Sequence, residues 1–307
     1  METFVAIETT PAPPVAATIC AVMVTYYPDF DLFRRVQKVT QQVGQMVIVD
    51  NGSPRSYIKQ LSTIADKLAV HLILNASNQG IARALNAGAG WAASQGYQWV
   101  LTLDQDTAVA PDMIDALAEV FRCYPLPERL AVIGSNYRHK VNGRVTCDDV
   151  IGSNGFPGRE MKTVLTSGSL VSVDAFHAIG GFREDFFIDC VDHEYCLRAR
   201  ARGLHVVMTS KPIMEHGIGH LTEHRLLWKK VGTSNHAPVR QYFLTRNSLI
   251  LAREHIGKEP RWILGYLWVW AKSIVLVLLF EEERIAKLKN IIRGCVDGIL
   301  GRTSVFE

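Results

Sequence analysis

Leu101–Thr107 reads LTLDQDT, and the fold turns on how this stretch is read. Trp99-Val100-Leu101-Thr102-Leu103 is an apolar, β-branched run, which predicts the end of a buried strand. The run breaks off in Asp104-Gln105-Asp106. In extended chain, positions two apart face the same side, so both carboxylates are expected to point beyond the strand end. Carboxylates so placed repel, and a hard divalent cation, Mg2+ or Mn2+, relieves the repulsion through the oxygen ligands it prefers. A plainer reading stands beside this one: the acids cap the helix that Pro111-Asp112 opens.

Upstream, strand and helix patterns alternate. Thr18–Tyr26 is a buried-strand pattern stopped by Pro28-Asp29. Asp31–Val43 carries Leu32, Val36, Val39 and Val43 at helical spacing. Gln45–Val49 is a second strand, ending in the sharp turn Asp50-Asn51-Gly52-Ser53. Tyr57–Leu68 reads as helix, Val70–Leu74 as strand, Asn78–Trp91 as a helix of small residues, and Tyr97–Leu103 as the fourth strand. The alternation implies an α/β domain with a mostly parallel sheet and helices on both faces. Ligands of such sheets sit beyond the carboxyl ends of the strands. Tyr26, Asp50 and Asp104 all fall at such ends.

Downstream, Gly134–Glu160 is rich in Gly, Asn, Asp and Arg and predicts a long, partly mobile loop, a lid or acceptor contact. Val164–Val173 restores strand character. Phe182–Arg202 holds a carboxylate cluster (Glu184, Asp185, Asp189, Asp192, Glu194) running into an Arg-rich helix over Glu194–Arg202. Val206–Met208 is a short strand pattern, followed by Glu215-His216-Gly217-Ile218-Gly219-His220.

The totals narrow the class. With 48% hydrophobic and 21% charged residues, the 307-residue chain is globular, not disordered. From Leu221 onward there are fourteen Lys/Arg against eight Asp/Glu (+6), whereas the first 220 residues carry nineteen against twenty-two (−3). Positive charge gathered beside the most apolar segment fits an anionic membrane surface, and not nucleic acid. Six cysteines without CxxC spacing argue against a zinc site or a disulfide framework and suit a reducing cytosol. Met1-Glu2-Thr3 has no basic region of a signal peptide, and Pro11, Pro13 and Pro14 suggest a flexible tail over residues 1–17.

Eight segments in order now carry a resemblance: VTYYPD (Val24–Asp29), VDNGS (Val49–Ser53), NQGIARALNAG (Asn78–Gly88), LTLDQDT, TSGSL (Thr166–Leu170), GGFRE (Gly180–Glu184), FFIDCVDHEYCLRAR (Phe186–Arg200) and YFLTRN (Tyr242–Asn247). From about Ile19 to about Glu254 the chain resembles the family 2 glycosyltransferases of the GT-A fold, and among them the bacterial rhamnosyltransferases of cell-surface polysaccharide synthesis. The resemblance implies a Rossmann-like sheet over residues 18–240. It also implies inverting transfer of a sugar, with dTDP-L-rhamnose as donor, to a hydroxyl of a glycan or lipid-linked acceptor. Hexose and galactofuranose transferases share most of the motifs.

By that resemblance Asp106 is a direct ligand of Mg2+ or Mn2+, Asp104 contacts the ribose or the metal through water, and His216 is a further ligand. The plain alternative for His216 is an ordinary loop histidine, with His220 and His224 nearby. The nucleotide-sugar contacts implied are Thr25, Tyr27, Asp50, Asn51, Arg83, Asp104 and Gln105. Among them Asp50 accepts the pyrimidine N3–H, with Thr25 and Tyr27 lining the base, and Arg83 reaches the diphosphate. The plain alternatives are a turn aspartate capping its own backbone and a solvated helix face. In-line displacement needs a base on the sugar face opposite the diphosphate. The family takes it from a Glu-Asp pair followed by an acid and an arginine. Here these positions are Val191-Asp192, Glu194 and Arg198, so Asp192 is the base, Val191 departs from the pattern, and Asp189 competes for either acidic role. Glu194 pairs with Arg198 at i,i+4. A solvated helix N-terminus accounts for the same cluster without chemistry.

In the remaining segment, 241–307, Trp262–Phe280 is nineteen residues broken only by Lys272 and Ser273, just long enough to span a bilayer. Trp262, Tyr266, Trp268 and Trp270 crowd one half of it, as at an interface. Arg284–Leu300 sets Ile285, Leu288, Ile292, Cys295, Val296 and Ile299 among Arg284, Lys287, Lys289 and Arg293, a basic amphipathic helix. The reading is a helical, membrane-associating region lying in the cytoplasmic face of the inner membrane, ahead of a buried helix, an oligomer contact or a true span. A nucleotidyltransferase and a non-catalytic membrane scaffold are the other classes. A dinucleotide oxidoreductase is disfavoured, since no GxGxxG follows the first strand.

Overall fold

The computed structural model describes residues 11–139, 143, 145–146, 155–216, 222–226 and 229–303. The chain divides into two compact units: one takes the residues up to Glu184 together with Tyr195–His216, the other Asp185–Glu194 and the chain after His216. In chain order the first unit runs β1 (Ile19–Thr25), α1 (Leu32–Thr40), β2 (Gln45–Asp50), α2 (Arg55–Leu68), β3 (His71–Leu74), α3 (Ile81–Ser94), β4 (Trp99–Asp104), β5 (Ala108–Val109), α4 (Met113–Cys123), β6 (Leu130–His139), β7 (Gly158–Glu160), β8 (Ser169–Ser172) and α5 (Val173–Ile179). Then come α6 (Val191–Ala201), within which the unit boundary falls, and β9 (His205–His216).

These strands form one sheet ordered β3-β2-β1-β4-β8-β6-β9-β5, with β7 also paired to β9. β3, β2, β1 and β4 are parallel, as the alternating pattern requires. Beyond β4 the sheet is mixed, because β8 runs against both β4 and β6. Ile19, Ala21, Met23, Met46, Ile48, Trp99, Leu101 and Leu103 point from one sheet face into a core shared with Leu32, Val36 and Val39 of α1, Leu61 and Ile64 of α2, and Leu117 and Val120 of α4. α3 covers the other face, and its small residues let it come close: a Cβ on Gly88 would lie 2.3 Å from Val22 Cγ1 and 3.2 Å from Val49 Cγ2.

Several boundaries differ from the sequence reading, each for a local reason. Gly80 has φ 86°, closed to helix, so α3 starts at Ile81 and not at Asn78. Gly134–His139 is strand, although its composition reads as loop. Gly134 lies under Val164, whose Cβ a glycine Cβ would meet at 2.6 Å, and the buried Asn136 amide donates to the Ser210 carbonyl at 3.0 Å. Gly158–Glu160 is also strand, while residues 140–142, 144 and 147–154 of the expected lid lie outside the described residues. β9 extends the short Val206–Met208 pattern to twelve residues, because register shifts against β6 absorb the polar run through Pro212. Only Ser169–Ser172 of the expected Val164–Val173 strand pairs, since Ser172 then caps α5 by accepting the Ala175 N–H. Residues 11–14 are not a loose tail: the Trp99 indole donates to the Ala12 carbonyl at 2.8 Å, and Pro11 and Pro14 are buried. Residues 1–10 lie outside the described residues.

The second unit contains β10 (Thr222–Leu226), β11 (Lys229–Thr233), α7 (Pro238–His255), α8 (Pro260–Phe280) and α9 (Arg284–Leu300). α9 packs on α7 through glycines: Cβ atoms on Gly294 and Gly298 would lie 2.7 and 2.9 Å from the carbonyls of Tyr242 and Arg246. The face so buried is Lys287, Ile291, Gly294 and Gly298, while the apolar side chains Ile285, Leu288, Ile292, Val296 and Ile299 are exposed. Lys287 was expected among the surface cations. It is instead buried, donating to Glu281 Oε2 at 2.9 Å and Asn235 Oδ1 at 2.6 Å. α8 is long and apolar enough to cross a membrane by length and composition, and 11% of its most apolar window is buried.

Candidate active site

The carboxyl ends of the parallel strands are level, with Thr25 paired to Asp50, Val24 to Asp104 and Asp50 to Leu74. Thr25 and Asp50 are fully buried, and the Thr25 hydroxyl donates to Asp50 Oδ1 at 3.0 Å. Asp50 also accepts the Ser53 N–H on Oδ2 (2.8 Å) and the Ser53 hydroxyl on Oδ1 (2.6 Å), so it does cap its own turn. A carboxylate offers about four acceptor positions, and these three bonds leave one on Oδ2. Asn51 spends its amide inside the protein: Nδ2 donates to Asn78 Oδ1 (2.9 Å) and the Gly80 carbonyl (3.1 Å), and Oδ1 accepts from Asn75 Nδ2 and the Gln79 N–H, both at 3.1 Å. It thereby fastens the end of β2 to the loop that opens α3. Tyr27 stands at φ 52°, its N–H bonded to Ser53 Oγ at 2.9 Å and its half-exposed ring edge-on to Tyr26 and Tyr57.

Asp104 ends β4. Its N–H donates to Ser167 Oγ at 3.0 Å and its carbonyl accepts the Thr107 N–H at 3.2 Å. Gln105 and Asp106 therefore sit in a turn, and the two-residue periodicity invoked for the acids stops at Asp104. Gln105 grips the main chain of Tyr26 at both ends, Nε2 donating to its carbonyl (3.0 Å) and Oε1 accepting its N–H (2.9 Å). The buried Thr107 hydroxyl shares a 2.6 Å hydrogen bond with Ser167. The chain then pairs Ala108 with Glu215 and Val109 with Met214. His216, the last residue of β9, thus follows the residue facing Ala108, two positions after Asp106. The His216 side chain, like residues 217–221 with His220, lies outside what is described; the described His224 ring instead bonds Thr233 Oγ1 at 2.8 Å and stacks on Phe280.

Arg83, in the first turn of α3, pairs with Glu184 at 3.5 Å, both side chains about half exposed. Asn86, one turn on, takes the Phe182 N–H and donates to the Phe182 carbonyl, both at 2.8 Å, so α3 fixes the GGFRE segment.

In the second unit, residues 185–190 make an unusual loop in which Phe187, Asp189 and Cys190 have φ of 52°, 64° and 62°. Asp189 is committed to Arg240, Nη2 to Oδ1 at 2.9 Å and Nε to Oδ2 at 3.0 Å. Burial pushes the Cys190 thiol up to about 12, and it contacts the Tyr266 hydroxyl at 3.0 Å, so it is an inert part of the packing. Asp192 stands in the first turn of α6, where its Oδ1 accepts the His193 N–H at 2.8 Å; among the described residues its Oδ2 has no hydrogen-bond partner. Its side chain keeps 18% exposure. Ser53, Ser167, Asn86 and Arg240 were not singled out from sequence, although VDNGS, TSGSL and NQGIARALNAG contain the first three.

Among the described residues no three His, Cys, Asp or Glu side chains gather as a metal site. Asp104 and Asp106 nevertheless fit a cation held by one or two carboxylates and the phosphates of its substrate, the usual way Mg2+ is bound.

Residues 22–156 match Glycosyl transferase family 2. The chain is 28% identical over 302 residues to the dTDP-rhamnosyl transferase RfbF of Shigella flexneri, covering 94% of this chain and 97% of that one. Its fold is similar to TarS residues 1–349 of S. aureus (TM-score 0.62, 13% identity, 93% of this chain and 82% of that one). It is also similar to the mannosyltransferase PcManGT of Pyrobaculum calidifontis, solved with GDP-Man and Mn2+ (TM-score 0.54, 13% identity, 93% and 88%). Residues 22–156 thus match a glycosyl transferase family 2 domain, the fold is GT-A-like, and these similarities support a glycosyltransferase.

Proposed function

We propose that the protein transfers L-rhamnose from dTDP-L-rhamnose, with inversion, to a hydroxyl of a glycan or lipid-linked acceptor in surface-polysaccharide synthesis. The observation that carries the reading is the level set of strand ends, Thr25, Asp50 and Asp104, with the β5–β9 register bringing position 216 beside the Asp104–Thr107 turn. The identity to a dTDP-rhamnosyl transferase along nearly the whole chain supports the donor. Tyr27 offers an aromatic face to the base, Thr25 and Asp50 form its polar floor through the position left on Oδ2, and Asn51 holds that floor in place. Gln105 fixes the turn from which Asp104 and Asp106, with His216, hold Mg2+ or Mn2+. A cation there neutralises the charge that develops on the leaving diphosphate. Arg83, once released from its exposed pair with Glu184, adds a cation to the same task.

Asp192 takes the acceptor hydroxyl proton as the new bond to the anomeric carbon forms. The old anomeric C–O bond breaks on the opposite face, and its electrons leave with the nucleotide diphosphate. With Asp189 held by Arg240, Asp192 is the carboxylate of the pair that keeps an oxygen for this proton.

The exposed apolar side chains of α8 (Leu264, Trp268, Val269, Val275) and of α9 (Ile285, Ile292, Ile299), with exposed Lys272, Lys289 and Arg293, support a peripheral seat on the anionic cytoplasmic face of the inner membrane.

The test is a titration with dTDP-rhamnose, UDP- and GDP-hexoses and UDP-galactofuranose, with and without Mn2+, beside transfer assays of Asp192→Asn. Metal-dependent preference for the dTDP sugar and a variant that binds donor but transfers nothing are the expected results. Preference for a hexose or galactofuranose donor would replace the rhamnose reading. The absence of any nucleotide binding would leave a membrane scaffold. Deleting residues 262–307 should abolish binding to phosphatidylglycerol-containing liposomes; unchanged binding removes the membrane seat.

A further inference from the structure

The 185–190 loop places three non-glycine residues in the left-handed region, including the bulky Phe187. Such backbone persists only where the surroundings over-determine it. Here the surroundings are α7. The Asn247 amide nitrogen donates to the carbonyls of Phe186 (2.7 Å), Ile188 (2.9 Å) and Asp189 (3.0 Å). Arg246 donates to the Asp185 carbonyl, and Arg240 holds the Asp189 carboxylate. Both Arg246 and Asn247 are fully buried, a location neither residue type occupies without a full set of partners. The Phe187 ring stacks on Phe243 of the same helix at 4.9 Å. Immediately after the loop the Cys190 carbonyl accepts the Glu194 N–H at 2.9 Å, closing the first turn of α6, and Asp192 lies inside that turn.

We infer that Asn247, assisted by Arg240, is a positioning residue for Asp192: by gathering the loop carbonyls it fixes where α6 begins and so where the Asp192 carboxylate points. The inference rests on Asp192 being the base. Asn247 touches no reacting atom. Its whole effect passes through the carbonyls of residues 186, 188 and 189.

The experiment compares Asn247→Ala, Asn247→Asp, Arg240→Met and Asp192→Asn in the full-length protein, measuring kcat, donor affinity and the pH profile of kcat. Asn247→Ala should lower kcat about 100-fold, the scale of misplacing a reacting group, with donor affinity within about twofold and the acid limb of the profile displaced. Asn247→Asp keeps the shape but turns an acceptor toward three carbonyls, so it should be at least as impaired. If shape alone mattered it would be rescued, and that result overturns the inference. Arg240→Met should lose about tenfold with the same change in profile. The Arg240 side chain is 38% exposed, so this variant decides the question if the Asn247 variants do not fold: an unchanged kcat and acid limb overturns the inference. Parallel losses of kcat and donor affinity would mark a general defect and also overturn it. Near-normal turnover by Asp192→Asn would overturn the base assignment and the inference with it. An inactive Asp192→Asn beside a normal Asn247→Ala would overturn the inference alone.

Discussion

The strand-end platform of the first unit and the 185–190 loop of the second both present acidic side chains, yet they are built by opposite means. At the platform, parallel pairing sets Thr25, Asp50 and Asp104 level, and hydrogen bonds among Thr25, Asp50 and Ser53, with those of Gln105 to the Tyr26 main chain, finish the edge. Regular structure does most of the positioning there. In the loop no ladder is available, the backbone enters the left-handed region three times, and a buried Arg-Asn pair on α7 holds the carbonyls. The platform should therefore tolerate loss of single side chains that are not ligands, while the loop should fail locally and sharply when one donor is removed.

The largest effect that separates the two is expected at Asp106. Asp106→Ala removes a proposed metal ligand from a turn whose main-chain bonds belong to Asp104 and Thr107. Transfer should fall on the order of 10³-fold, with loss of Mn2+-dependent nucleotide binding. A variant that keeps metal-dependent binding by calorimetry would show that the turn is not the metal seat. Next comes the packing under the platform. Gly88→Val would drive a side chain into Val22 and Val49, and the unfolding free energy should drop by about 2–3 kcal/mol in urea titrations. No loss of stability would mean that α3 shifts at no cost, and the platform would then not depend on its close approach.

The same contrast explains what could be read from the sequence. Strand-end acids were legible because β1, β2 and β4 are buried apolar runs that stop abruptly, and parallel pairing puts their ends on one edge. The roles of Gln105 and Asn51 were not, since an amide's partners are chosen by tertiary structure: the Tyr26 main chain for one, main-chain and side-chain groups of the 75–80 loop for the other. Gly134–His139 hid as loop because Gly134, Ser135 and Asn136 are poor strand formers by composition, yet Val164 and the Ser210 carbonyl complete them in space. Asn247 stood inside a noticed motif, but nothing in a linear pattern tells that a helix amide will collect three carbonyls some sixty residues away. Lys287 matched an amphipathic surface by spacing and was buried by a carboxylate from the preceding turn.

A smaller effect tests whether Gln105 binds substrate or only holds Tyr26. Gln105→Ala removes two hydrogen bonds to one residue, each worth about 1 kcal/mol, so nucleotide affinity should weaken about tenfold through a looser Tyr26–Tyr27 corner. Placing a tyrosine-to-tryptophan reporter at Tyr26 should show that corner loosening in the nucleotide-free protein. If affinity falls with the reporter unchanged, Gln105 touches the nucleotide directly and the platform is less self-contained than its hydrogen bonds indicate.

The smallest effect lies at the far end of the loop's support. His236 sits 3.5 Å from the Arg240 guanidinium that holds Asp189. Burial, then Arg240, lowers its pKa below the usual imidazole value, while Asp189 and Glu281 oppose and Lys287 adds to the lowering. A histidine with a lower pKa in the folded state binds its proton more readily when unfolded. Stability from this group is therefore full above the ordinary value near 6.5 and is lost as pH falls through the folded pKa. Protonation would also set a second cation against Arg240 and weaken its hold on Asp189. His236→Gln, neutral throughout, should flatten the fall in urea midpoint between about pH 7.5 and pH 5.5 without changing the value at the upper end. An identical pH dependence in the variant would show that the imidazole already ionises freely, and that the loop's support ends at Arg240.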